Sequence, residues 1–324
     1  MEPLTIFANF YSESPPQLLL HPERCLRSRL NTNQCQRCLE SCPRNALSVE
    51  NRKIRLDVAQ CTGCMSCVSA CPQDALASAH NLDQLLSPFR SRADVVVSCL
   101  HQVQNHPDEI TIPCVGILSK QVLAAILLSD CRSVSFNLAG CSECRNHYVS
   151  NVFMLDCKQI IEELSDINST KVALLTKREQ LSTFRRDRRS YLAKIREIVV
   201  DVSKRRSLSN QPGPLVESKG GRRTPFKTKI VKEMLTKLDR ESQKKILGLF
   251  GYNLSISEDC NCCPLCKGIC PTGAINIDRS GKSKKFKFEM LDCNGCGLCV
   301  EFCKKSALSL ERFNVEFPGL RYVK

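Results

Sequence analysis

Cysteine spacing constrains the fold of this chain more than any other feature of its sequence. The chain has 23 cysteines among 324 residues, and sixteen of them stand in four runs of four. Three runs have cysteines separated by two residues and then a fourth after a gap of three, whereas the first run has a distant first member. The runs are Cys25, Cys35, Cys38 and Cys42; Cys61, Cys64, Cys67 and Cys71; Cys260, Cys263, Cys266 and Cys270; and Cys293, Cys296, Cys299 and Cys303.

This spacing is typical of the cysteines that bind [4Fe–4S] clusters in bacterial ferredoxins. The first three cysteines of a run bind one cluster, and the fourth binds the other cluster of the pair. The rule therefore predicts four [4Fe–4S] sites whose fourth ligands are exchanged between runs. The predicted ligands are Cys25, Cys35, Cys38 and Cys71 for site 1; Cys42, Cys61, Cys64 and Cys67 for site 2; Cys260, Cys263, Cys266 and Cys303 for site 3; and Cys270, Cys293, Cys296 and Cys299 for site 4.

Two other uses of cysteine fit the runs less well. Structural zinc usually takes two separated CxxC pairs or mixtures of Cys and His, and four cysteines this close would crowd a tetrahedral site. Disulfides need an oxidising compartment, but residues 1–17 lack the basic and apolar regions of a secretory signal. The longest apolar run, 122–128, is far too short to span a bilayer. We therefore expect a cytoplasmic protein with no membrane span.

Strand patterns around the cysteine runs predict the same small module near both ends of the chain. Ile54, Leu56 and Val58 alternate along one predicted strand. Further predicted strands of the two modules cover residues 45–49, 74–79, 273–277, 285–292 and 306–311. We predict dicluster ferredoxin-like modules at 1–85 and 254–315.

Between the modules, apolar strands alternate with helical patterns. This rhythm predicts a small parallel α/β domain at 90–176. One predicted helix, 118–130, opens at Ser119 as its N-cap, and a second covers 157–167. The predicted strands are 93–100, 111–116, 133–140, 152–156 and 171–176.

Four thiols of this middle domain are predicted to converge. Loops after parallel strands meet at one edge of the sheet, where such sheets bind ligands. The cysteines that follow predicted strands, which we call the middle site, are Cys99, Cys114, Cys141 and Cys144. We expect Cys131 and Cys157 to be core residues, and Cys262 to be a bystander thiol.

The stretch IPCVGILSKQVLAAILLSDCRSVSFNLAGCSEC, residues 112–144, resembles the iron–sulfur domain of the delta subunit (MvhD-type) of methyl-viologen-reducing hydrogenases. That family holds a [2Fe–2S] cluster and passes electrons between a hydrogenase and a heterodisulfide reductase. The resemblance implies a [2Fe–2S] cluster on the four middle-site thiols. This chain lacks the early CxxC of that family near Cys99, so zinc and an empty thiol site stay open as alternatives.

The positive charge of the chain is concentrated in one segment. The formal net charge is +14, and residues 177–249 hold 21 Lys and Arg against 8 Asp and Glu. Each filled [4Fe–4S] site would change the charge by about −2, which brings the filled protein to about +6. In this segment, a predicted basic helical linker at 177–253, we expect an amphipathic helix at 181–206, a loop at 206–225 and a helical stretch at 226–251.

The basic segment raises a second hypothesis, that of an iron–sulfur redox sensor or assembly protein that binds nucleic acid or an acidic client. The residues that suggest it are Arg185, Arg186, Arg188, Arg189 and Tyr191. The segment has no recognisable helix-turn-helix pattern, and charge runs are usually solvated faces. We therefore expect an acidic redox partner rather than nucleic acid.

The expected fold class is α+β and α/β, with two dicluster modules flanking a small parallel α/β domain. The chain resembles multi-cluster ferredoxin-type subunits of anaerobic oxidoreductases. That resemblance implies an electron-transfer subunit that works with a formate dehydrogenase, a hydrogenase or a heterodisulfide-reductase-like enzyme. Because the chain has no Gly-rich dinucleotide loop, P-loop or nucleophile–base pattern, we expect no substrate chemistry in this chain alone.

Overall fold

A computed structural model describes most of the chain as small sheets joined by short helices. The described residues are 18–79, 82–102, 109–168, 170–183, 222–278 and 284–314. They form four two-stranded antiparallel sheets and one four-stranded parallel sheet. The predicted mixture of helix and sheet, with a parallel sheet in the middle of the chain, is therefore confirmed. None of the described helices is long and apolar enough to cross a membrane.

The N-terminal module pairs its first strand with its last and its two inner strands with each other. Its elements are β1 (Leu18–Leu20), α1 (Leu26–Arg29), α2 (Arg37–Glu40), β2 (Leu47–Glu50), β3 (Lys53–Leu56), α3 (Ser66–Ala70) and β4 (Leu76–Ser78). Strands β1 and β4 form the outer pair, and β2 and β3 form the inner hairpin. Asn51 and Arg52, with φ of 48° and 65°, make the hairpin turn, and two left-handed residues are what a type I′ turn requires.

A parallel sheet with strand order β6-β5-β7-β8 forms the middle of the chain. Its elements are α4 (Leu82–Ser91), β5 (Asp94–Cys99), β6 (Glu109–Ile112), α5 (Lys120–Leu127), β7 (Ser133–Asn137), α6 (His147–Glu163), β8 (Lys171–Leu175) and α7 (Arg178–Thr183). As predicted, Ser119 caps α5, and its hydroxyl accepts the N–H of Val122. Strand β6 lies on one side of β5 and β7 lies on the other. The strand order therefore reverses at β5, and a crevice opens there at the carboxyl ends of the strands.

The strand predicted at 152–156 is wrong, because these residues lie inside α6. The helix begins at His147, ten residues before the predicted start at 157. Four apolar residues in a row, at 152–155, fit a buried strand, but the longer pattern is helical. The buried side chains recur every three or four residues, at Val149, Phe153, Cys157, Ile160 and Leu164. Phe153 packs edge-on against Phe136 of β7, with 4.9 Å between ring centroids.

The described part of the basic segment is packed against the rest of the protein rather than extended as a linker. The helical stretch at 226–251 is confirmed as α8 (Phe226–Lys237) and α9 (Arg240–Phe250), separated where Asp239 caps α9. Their buried side chains, which include Phe226, Ile230 and Ile246, join one core with the N-terminal module and the parallel sheet. The helix predicted at 181–206 and the loop at 206–225 lie mostly outside the described residues.

The C-terminal module repeats the plan of the N-terminal one. Its elements are β9 (Tyr252–Ile256), α10 (Leu265–Ile269), β10 (Ile275–Asp278), β11 (Lys285–Phe288), α11 (Leu298–Glu301) and β12 (Leu308–Arg312). The outer pair is β9 with β12, and the inner pair is β10 with β11. A separate small core, which includes Ile275, Ile277 and Phe286, fills this module.

The N-terminal module contacts the middle domain at an unusually close approach of two backbones. A Cβ placed on Gly116 would lie 2.2 Å from the carbonyl oxygen of Cys64 and 2.8 Å from Cγ1 of Val149. Asn146 Nδ2 donates to the carbonyl of Thr62 at 3.3 Å in the same contact. The loop that carries Cys64 can therefore reach the middle domain only because residue 116 has no side chain.

We predict that Gly116→Ala lowers the thermal stability of the protein, because the added methyl group overlaps backbone at this contact. Overpacking of this kind costs about 1–3 kcal/mol in unfolding free energy. Gly248→Ala is the control, since a Cβ there meets no atom within 4 Å and alanine is favoured in a helix by about 1 kcal/mol. Anaerobic thermal unfolding followed by circular dichroism checks both variants, and a Gly116→Ala protein that melts no earlier than the parent would contradict the prediction.

Candidate metal centres

The four cysteines predicted for site 1 line one cavity of the N-terminal module. Cys25, Cys35, Cys38 and Cys71 surround a partly open space of about 380 Å³. Three of them come from the first run, and the fourth follows the C-terminal end of α3 in the second run. Apolar side chains such as Leu26, Ile54 and Leu76 form much of the remaining wall.

A second cavity of about 380 Å³ holds the cysteines predicted for site 2. Cys61, Cys64 and Cys67 line it together with Cys42, which follows α2 in the first run. The exchange of fourth cysteines expected from the spacing is therefore present in the arrangement of the side chains. Helix α3 contributes Cys67 to one cavity, and Cys71, which ends that helix, reaches the other.

A buried amide at site 1 fits a cluster in that cavity. Gln73 is 5% exposed, lines the site 1 cavity, and its Nε2 has no hydrogen-bond partner within the described residues. A buried donor without a partner costs about 1–3 kcal/mol, and the sulfur atoms of an iron–sulfur cluster accept hydrogen bonds. The donor set therefore fits a [4Fe–4S] cluster at site 1.

A local backbone motif presents the exchanged cysteines, and it repeats in all four runs. The residue three positions after the last cysteine has a positive φ in each case: Asn45, Asp74, Gly273 and Ser306. The next residue is a buried alanine in each case: Ala46, Ala75, Ala274 and Ala307. In three runs, the alanine N–H donates to the cysteine Sγ at 3.3–3.4 Å. Sequence reasoning missed this motif, although an alanine four residues after the last cysteine of every run was visible.

The C-terminal module brings the predicted site 4 thiols together. Burial raises the pKa of Cys299 to about 12. The other contributors to this rise are the three remaining site 4 thiols, Cys296, Cys293 and Cys270. A thiol with a raised pKa stays protonated at neutral pH, whereas a bound metal would deprotonate it outright. A bound metal would therefore convert these thiols to thiolates.

Three of the cysteines predicted for site 3 lie in or against the core of the same module: Cys260, Cys266 and Cys303. Burial raises the pKa of Cys266 to about 11, and the neighbouring Cys263 and Cys260 contribute. Cys303 packs against the same small core as Cys266 and accepts the N–H of Ala307. Cys262 has a φ of 51°, at the place in its run where Gly63 and Gly295 are left-handed in theirs.

The four middle-site thiols meet at the carboxyl edge of the parallel sheet. Cys99 ends β5, Cys114 follows β6, and Cys141 and Cys144 bound the short turn after β7. Burial raises the pKa of Cys114 to about 12, with further contributions from neighbouring thiols. Those neighbours are Cys99 and Cys141 of the middle site and Cys64 of site 2.

Polar groups without partners lie between the middle site and site 2. The hydroxyl of Tyr148 and Oδ1 of Asn146 are buried without a hydrogen-bond partner among the described residues. Burial, followed by the neighbouring Cys64 thiol, raises the pKa of Tyr148. A phenol that faces Cys64 is placed to donate to a thiolate there, so it favours site 2 in its metal-bound form.

The structure also shows where the remaining cysteines of the middle domain lie. Cys131 and Cys157 are 2% and 1% exposed and lie in the core. All 23 cysteines fall in the described ranges, and each is a free thiol. Within those ranges, no group of three or more His, Cys, Asp or Glu side chains is placed to hold one metal ion.

Comparison with known proteins gives one match. Residues 18–72 match the family model of the 4Fe-4S dicluster domain, a span that contains both N-terminal cysteine runs. No curated protein and no solved structure matches the chain. This match supports a ferredoxin-type iron–sulfur domain in the N-terminal module, and iron–sulfur electron transfer is the general function that it suggests.

We predict that Cys71→Ala empties site 1 and leaves site 2 filled, although Cys71 belongs to the run that supplies most of site 2. The purified variant should lose about four irons. Anaerobic alkylation followed by mass spectrometry should label Cys25, Cys35 and Cys38, and leave Cys61 and Cys64 protected. Cys131→Ala is the control and should lose no iron. Labelling of Cys61 and Cys64 in place of the first-run cysteines would contradict the exchanged assignment.

Proposed function

We propose that this protein is an iron–sulfur adaptor that carries single electrons between a cytoplasmic anaerobic oxidoreductase and its redox partner. The observation that carries the proposal is the pair of N-terminal cavities, each lined by one predicted ligand set. The match of residues 18–72 to a dicluster domain supports it independently. A [4Fe–4S] cluster, when bound, supplies reversible one-electron chemistry.

The side chains of this chain would hold and tune four such clusters. The exchanged cysteines complete the thiolate shell of each site, and the apolar walls limit solvent access, which sets the potential together with hydrogen bonds. The alanine N–H groups and the Gln73 amide are the donors placed for that role. With two runs paired in each module, sites 1 and 2 would lie side by side, and likewise sites 3 and 4.

We further propose that the middle site holds a [2Fe–2S] cluster, as the resemblance to the hydrogenase delta subunit implies. Its four thiols lie together at the sheet edge, and Cys114 neighbours Cys64 of site 2. Gly116, two residues after Cys114, contacts the Cys64 backbone. This placement makes the middle site a neighbour of the N-terminal module.

The contacts of the basic segment favour electron transfer over nucleic-acid binding. In its described part, Arg223 pairs with Asp74 at 3.2 Å, Lys232 pairs with Asp292, and Lys245 pairs with Asp166. Each of these cations pairs with a carboxylate of the same chain. The carboxylates neutralise their charges, so these three side chains do not form an open basic surface. The arginines at 185–189 lie outside the described residues.

The iron content of anaerobically purified protein tests the proposed function. Four filled [4Fe–4S] sites give about sixteen irons per chain, and a [2Fe–2S] middle site raises this to about eighteen. The visible absorbance should bleach on reduction by dithionite and return on oxidation. A fully reconstituted sample with fewer than about ten irons would rule out four clusters.

The same assay separates the middle site from the other four. Replacing Cys141 and Cys144 together by serine should remove about two irons and leave the [4Fe–4S] signals intact. The control is Cys157→Ser, because Cys157 lies in the core of α6 away from the sheet edge. Loss of zinc with unchanged iron would instead assign the middle site to zinc.

A further inference from the structure

The two dicluster modules meet directly, at the faces that carry site 1 and site 4. Asn294 Nδ2, in the loop between Cys293 and Cys296, donates to the carbonyl of Pro72 at 2.9 Å. Pro72 directly follows Cys71, a predicted ligand of site 1. Away from these loops, Asn33 Nδ2 and Thr32 Oγ1 donate to the two carboxylate oxygens of Glu301 at 2.7 and 2.8 Å.

Two basic side chains lie in this junction. Arg37 directly precedes Cys38 of site 1, and its Nη2 donates to the carbonyl of Gly295 at 3.4 Å, next to Cys296 of site 4. The guanidinium of Arg37 therefore lies against the backbone of the site 4 loop, so its positive charge acts across the boundary between the two modules.

The second cation, Lys227, is held against the helix that carries Cys67. Its Nζ donates to the carbonyls of Ser69 at 2.7 Å and Val68 at 3.1 Å, in the last turn of α3. Lys227 lies in the first turn of its own helix α8, where the helix dipole disfavours a cation. Lys227 therefore lies between Cys67 of site 2 and Cys71 of site 1 despite its unfavourable interaction with the helix dipole.

The junction supplies few negative charges to balance these two cations. A cavity of about 720 Å³ there is lined by Arg37, Lys227 and Arg312, and by no acidic side chain. Within the described residues, neither Arg37 nor Lys227 forms an ion pair, and Asp74 is paired with Arg223. Burial lowers the pKa of Lys227, while the nearby Cys71 and Asp74 charges raise it. A filled cluster site would add thiolate charge beside these two cations.

We propose that Lys227 and Arg37 are tuning residues, whose positive charges raise the reduction potentials of the clusters at the junction of the two modules. This rests on the proposed function, because it requires filled sites. Reduction adds one negative charge to a cluster, and a nearby fixed cation stabilises that added charge. These two cations would thus stabilise an added electron on the clusters at the junction.

A potentiometric titration of the full, iron-replete chain, monitored by electron paramagnetic resonance, tests the proposal. Lys227→Gln keeps a donor for the α3 carbonyls but removes the charge. It should lower the reduction equilibrium constant of at least one cluster about tenfold, which is about 59 mV for one electron. Lys227→Arg should stay near the parent value. Lys229→Gln, on the same helix, is the matched control and should shift nothing.

The outcomes separate this proposal from the proposed function. Full iron content with unchanged potentials in both Lys227→Gln and Arg37→Gln would overturn the tuning role and leave the electron-transfer function standing. Should Lys227→Gln lose iron, Arg37→Gln decides alone, because Arg37 is exposed and its substitution removes one hydrogen bond. An iron-poor parent protein would instead contradict the proposed function. A shift in the Arg37→Gln protein that Arg37→Lys restores supports the charge as its cause.

Discussion

Each site in the N-terminal module depends on a cysteine from the other run of that module. Cys71 completes the cavity of Cys25, Cys35 and Cys38, and Cys42 completes that of the second run. Neither cavity has its four cysteines until both runs are in place, so binding of a cluster would be coupled to folding of the module. The left-handed residue and the alanine N–H after each last cysteine direct the exchanged sulfur toward its partner site.

Contacts between distant parts of the chain also connect the modules to the rest of the protein. Gly116 allows the Cys64 loop to contact the parallel sheet, and the segment before α8 connects the two modules. The backbone N–H of Arg223 donates to the carbonyl of Pro271 at 3.1 Å, while its side chain pairs with Asp74. One residue thus contacts the chain just after Cys71 and just after Cys270. These contacts explain why part of a basic segment has a structural role that its composition does not suggest.

Several features of this protein could be predicted from residue spacing, because they depend on residues close together in the sequence. The cysteine runs predicted which thiols line each N-terminal cavity, and Ser119 was recognised as a cap from its position before an apolar helix. The strand proposed at 152–156 was wrong because four consecutive apolar residues do not distinguish a strand from part of a helix such as α6. The contacts of Arg37 and Lys227 were not predictable, since they join residues far apart in sequence and depend on how the modules pack.

The position of iron relative to the two N-terminal cysteine runs shows directly whether the runs exchange their fourth ligands. Anomalous scattering from crystals of the anaerobic protein, measured at the iron absorption edge, locates iron without assuming its ligands. The account predicts one iron peak enclosed by Cys25, Cys35, Cys38 and Cys71, and another enclosed by Cys42, Cys61, Cys64 and Cys67. A peak enclosed by Cys61, Cys64, Cys67 and Cys71, or cavities without iron in an iron-replete sample, would contradict it.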